Sequence, residues 1–147
     1  MKPLILILSL FFALTASGQH ADSTNSLTGK WHLILFKDLK TGQMTDTASE
    51  QNGSVALYKR VVLDFNGNAD SGIINGHTFC NGIRTEYHIY DNNKIRFDDY
   101  SSTQVYCLYE DKFEKAIQHA SSYKRISDTL IIYYNHDSEE MVFTAVK

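Results

Sequence analysis

Proline is nearly missing from these 147 residues: Pro3 is the only one, and eight glycines are scattered along the chain. Collagen-like and proline-rich architectures are excluded. Charge is sparse too. Asp, Glu, Lys and Arg make up only 21% of the chain, and a net charge of −3 excludes a nucleic-acid reader that works through summed positive charge. The motifs of chemistry are equally scarce. No two of the six histidines (His20, His32, His77, His88, His119 and His136) stand three to five apart, as a zinc-binding pair would. There is no GxSxG elbow and no glycine-rich phosphate loop. The two cysteines, Cys80 and Cys107, form no CxxC motif. Asp98-Asp99 is a pair of neighbouring carboxylates, but adjacent residues at a strand end point in different directions. No catalytic residue, cofactor site or metal site is expected, and the chain reads as a non-enzyme.

What is present is a 43% hydrophobic chain of a length suited to one domain, with sixteen of its aromatic residues beyond position 18. One long apolar run occurs, Leu4 to Leu14, interrupted only by Ser9. Lys2 precedes it, and Ala13, Ala16, Ser17 and Gly18 follow. Eleven residues span about 16 Å as a helix, roughly half a bilayer core. The pattern therefore predicts a signal peptide over 1–18, cleaved near Gly18, rather than a transmembrane anchor. No cysteine stands near the cut to carry a lipid, and loss of Lys2 would take the net charge to −4. The polar stretch 19–26 reads as a flexible leader, with folding from Leu27 onward. In an exported chain, Cys80 and Cys107 favour one disulfide closing a 28-residue loop, valued at about 3.6 kcal/mol by chain entropy; the alternative is two buried free thiols.

Periodicity gives the elements. Lys30 to Lys37 is apolar on both faces and reads as a central or barrel strand; 41–54 reads as a long loop. Arg60 to Phe65 alternates and runs into a hairpin turn at Asn66-Gly67-Asn68. Asn75 to Gly82 should bend sharply around Phe79 and Cys80. Ile83 to Ile89 should point Ile83, Tyr87 and Ile89 inward, and Asp91-Asn92-Asn93 should turn the chain into Lys94 to Phe97. Between Tyr106 and Ala120 the period becomes helical, with Tyr106, Tyr109, Phe113, Ala116, Ile117 and Ala120 on one stripe and Glu110, Asp111, Glu114 and Lys115 facing water. Ser122 to Ile126, Thr129 to Tyr134 and Met141 to Val146 complete the strands. The fold class is α+β: a strongly curved, barrel-like antiparallel sheet packed on one amphipathic helix. Asn81 reads as a turn residue bonding the bent backbone, and Ser102-Thr103 as residues that cap or precede the helix.

The run from Gly76 to Tyr134 resembles the META domain, typified by HslJ-like bacterial envelope proteins. Cys80-Asn81, Tyr87, Ser102-Thr103, Cys107, Phe113 to Ile117, Tyr123 and Leu130 carry the likeness, and Leu27-Thr28-Gly29-Lys30-Trp31 extends it over residues 27–147. The resemblance implies a compact β-rich envelope domain linked loosely to stress tolerance, with no active-site residues to carry over. The family's frequent lipobox cysteine is absent here, and the 41–54 loop is long. The expected role is therefore a monomeric, exported, stress- or defence-related protein of the periplasm or outside the cell, acting through protein or envelope contacts. Gly29-Lys30-Trp31 is also similar to the lipocalin opening, which gives the alternative: a carrier with a cavity for a small apolar ligand.

Overall fold

The computed structural model describes residues 26–47, 61–91, 93–107 and 109–147. The expected signal peptide, nearly all of the leader and the second half of the 41–54 loop lie outside the described residues. The elements run β1 (Gly29–Asp38), β2 (Met44–Asp46), β3 (Val62–Gly67), β4 (Ser71–His77), β5 (Gly82–Tyr90), β6 (Lys94–Ser102), α1 (Glu110–Gln118), β7 (Ala120–Ile126), β8 (Thr129–Tyr134) and β9 (Glu139–Ala145). Neighbours pair in the order β1-β3-β4-β5-β6-β7-β8-β9, and β9 pairs back onto β1. Eight antiparallel strands thus close a barrel, with β2 added beside the end of β1. Among the described residues, the expected curved antiparallel sheet with one helix is what the chain forms.

Local chemistry accounts for the pairing. Strand β1 is apolar on both faces because its register against β9 shifts between Leu33 and Leu35, so that Trp31, Leu33 and Phe36 all point inward. Asn68 closes the β3–β4 hairpin by accepting the Asp70 and Ser71 N–H groups on Oδ1, each at 2.9 Å. At one end of the barrel, Trp31 Nε1 donates to the Leu27 carbonyl at 2.8 Å and the Arg125 guanidinium lies over its ring at 5.3 Å. Arg125 also bonds the Ser26 carbonyl. At the other end, α1 covers the seam where β6 and β7 diverge, their register reduced to Lys94 opposite Ser122. Phe113, Ala116 and Ile117 enter the core there.

Four expectations are corrected. The stretch 71–77 forms β4, where the sequence pattern predicts only a bend beginning at Asn75; the bend itself is Thr78 to Asn81. A short strand, β2, lies within the expected loop 41–54. The helix is nine residues long and starts at Glu110, so Tyr106 is 85% exposed in an extended segment and Ala120 opens β7. Finally, Glu110, expected to face water, is only 5% exposed. As the first helical residue it turns toward the Thr78 bend rather than following the outer face.

Candidate functional site at the mouth of the barrel

The helix end of the barrel gathers the residues singled out from sequence. Thr78 N–H donates to the Asn81 carbonyl at 2.8 Å and folds the chain back after β4. Cys80, on this bend, is bonded to Cys107, with Cα atoms 6.3 Å apart. That separation lies within the range a disulfide spans. Asn81 is buried and ties the same two segments together without sulfur. Its Nδ2 donates to the Val105 carbonyl at 2.9 Å, and its Oδ1 accepts the Val105 N–H at 2.7 Å and the Thr103 hydroxyl at 3.0 Å. The structural role expected for Asn81 is present, reaching across to 103–105 rather than staying within its own turn. Thr103 also accepts the Gly82 N–H at 3.2 Å, so Ser102-Thr103 precedes the helix without capping it. The cap position is Tyr109, left-handed at φ 68° and making no side-chain cap bond.

Glu110 is the residue that the sequence reading missed. Its Oε1 accepts the Thr78 hydroxyl at 2.6 Å, and its Oε2 accepts the Cys80 N–H at 3.4 Å. The same Oε2 stands 3.7 Å from Cys80 Sγ and 3.8 Å from Cys107 Sγ. Its place in the first turn lets the helix dipole favour its negative charge. A polar residue interrupting no apolar stripe gives no sign in sequence that it will be drawn inward.

Beside the disulfide, a cleft of about 440 Å³ runs between α1 and the β8–β9 turn. Tyr106, Tyr109, Lys112, Lys115, Tyr134 and Glu139 are among its walls. Lys112 lies over the Phe36 ring, 4.8 Å from its centre. The Tyr134 hydroxyl is buried, and burial first, then the neighbouring Glu139, pushes its pKa up. A second, shallower groove of about 590 Å³ lies on the outer face of the sheet. Register lines up Lys30, Asp64, Asn75, Arg84 and Ser101 there as a polar row across five strands. The Lys30 and Asp64 members are 3.9 Å apart.

The remaining polar candidates stand apart from the mouth. Asp98 is held by Arg96 at 2.8 Å and lies 3.7 Å from His88 Nε2, while Asp99 adopts φ 50° and diverges from it. His119 is the C-cap of α1. Among the described residues, the one close group of potential metal ligands is Cys80, Cys107 and Glu110.

Known proteins place this geometry. The chain is similar in structure to a DUF4847 family protein from Bacteroides vulgatus, with a TM-score of 0.61, 14% identity, and coverage of 82% of this chain and 94% of that one. At that identity the likeness speaks for the fold alone. No curated protein matches the sequence. The META domain model, by contrast, matches residues 25–147, which takes in both ends of the barrel, the bend at Cys80-Asn81 and the helix. The chain belongs to the META domain family.

Proposed function

We propose that this META domain works outside the cytoplasm, in the bacterial envelope, as a binding protein rather than an enzyme, in tolerance of stress. The observation that carries the reading is the mouth of the barrel. Its buried polar groups bond one another, through Asn81 to Val105 and Thr103 and through Glu110 to Thr78, whereas the cleft walls present tyrosines and lysines. Such a surface suits contact with a partner more than proton transfer to a substrate. The Cys80–Cys107 bond and the signal-like segment over 1–18 support export.

Two measurements test this. N-terminal sequencing of the protein from the producing cell should find a start near Gln19 outside the membrane fraction; an intact Met1 in the membrane would refute export. Affinity capture from the envelope fraction should retain a partner that Tyr106→Ala with Lys115→Glu loses. Equal capture by the parent and the double variant would refute a binding role for the cleft.

The carrier reading draws on one observation, the Gly29-x-Trp31 opening with Arg125 laid over the ring at one end of the barrel. Against it, the inward positions hold large, fully buried side chains, among them Trp31, Phe36, Phe65, Tyr87 and Phe143. Enhanced fluorescence of an apolar probe, displaced by a fatty acid, would favour the carrier.

A further inference from the structure

We infer that Cys80, Cys107 and Glu110 form a metal site that the disulfide closes and that reduction opens to a zinc-class divalent cation. In a tetrahedral zinc site, bonds of about 2.3 Å to sulfur and 2.1 Å to oxygen place neighbouring S and O ligands about 3.6 Å apart. Glu110 Oε2 already lies 3.7 Å from Cys80 Sγ and 3.8 Å from Cys107 Sγ. Only the two sulfurs must separate.

The carboxylate is also held as a ligating carboxylate is held. Thr78 donates to Oε1 at 2.6 Å, which leaves Oε2 directed at the sulfurs, and Glu110 is 5% exposed. Both segments carrying the cysteines stay tied when the sulfur bond opens, because Asn81 bonds Val105 through both its amide atoms. Cys107 borders the open cleft, from which water can supply the fourth ligand. Two thiolates with one carboxylate suit zinc or its analogues, not magnesium or calcium.

An external dithiol gives two electrons and two protons to the Cys80–Cys107 bond and leaves as its own disulfide. The cation then binds as the two cysteine thiols lose their protons. One pair of sulfurs therefore has two closures, a covalent bond or a metal ion, and the redox poise around the protein sets which of them is available.

Cobalt(II) is the probe, because thiolate ligation gives it a near-ultraviolet charge-transfer band. The purified protein, reduced with excess dithiol that is then removed under anaerobic conditions, should bind one cobalt ion per chain with that band. The oxidised protein should show none. Glu110→Gln, reduced, should bind at least tenfold more weakly while its near-ultraviolet circular dichroism stays native. Cys107→Ser should lose about half the band intensity per bound cobalt, and this readout decides the matter if Glu110→Gln does not fold. Absence of the band in the reduced parent, affinity within twofold of the parent in folded Glu110→Gln, or an undiminished band in Cys107→Ser would overturn the assignment.

Discussion

Asn81 shows how much one buried amide organises. It closes three hydrogen bonds to Val105 and Thr103, so the segment before the helix is held to the bend after β4 by polar contacts as well as by sulfur. Replacing it by Ala would strand the Val105 N–H and carbonyl. Loss of a buried partner costs about 1–3 kcal/mol for each group left unsatisfied, reduced here where water can enter. Asn81→Ala should therefore lower stability by about 1–3 kcal/mol in urea unfolding. A change under half a kcal/mol would mean that water replaces the amide without loss. Phe113 acts by volume instead: it is fully buried under α1, and Phe113→Ala should cost about 3–5 kcal/mol in the same measurement.

At the level of elements, the helix is anchored at both ends of its leading segment, by the Cys80–Cys107 bond before it and by Phe113 and Ile117 within it. Titration of unfolded, unreduced protein should find no free thiol. Reduction should lower stability by about 3.6 kcal/mol, the chain-entropy value for the loop, without unfolding a barrel that has its own core. Two free thiols in the unreduced protein would remove the staple from the account. Elements that alternate or repeat cleanly were legible in the sequence: β5, β8, β9 and the centre of α1 lie where periodicity places them. Strand β4 was not, for a physical reason. Its pattern is erased because Gly72 stands against the Tyr87 ring, where an added Cβ would come within 2.7 Å of a ring carbon. Space made for an aromatic on the next strand reads, in sequence, as a bend. The start of α1 was misplaced because the spacing of Tyr106 and Tyr109 continues the helical period while the backbone does not: Gln104 and Tyr109 take positive φ, and the helix begins only afterwards. The mouth was half legible. Cys80, Asn81 and Cys107 stood out by type and place, whereas Glu110 joins them only through the fold.

Taken as a whole, the molecule holds several of its nine tyrosines at least partly buried in its walls, and this sets its response to alkaline pH. Burial is the leading cause that raises the pKa of Tyr87, Tyr100, Tyr123, Tyr133 and Tyr134 above the ordinary phenol value. For Tyr100 the value is pushed up to about 12, with Glu110 and Glu114 adding repulsion after burial. The direction of the consequence follows from proton counting. Below the unfolded pKa of about 10 both states keep the phenol proton and stability is unaffected. Between about 10 and 12 the unfolded chain releases protons that the folded barrel retains, so stability falls as pH rises. Urea unfolding from pH 8 to 12 should thus show a plateau followed by a decline beginning near pH 10. Tyr100→Phe, which removes one of these phenols, should make that decline shallower. Stability unchanged to pH 12 would mean that the phenols titrate in the folded barrel as they do in the open chain, and that these tyrosines are wetter than their packing implies.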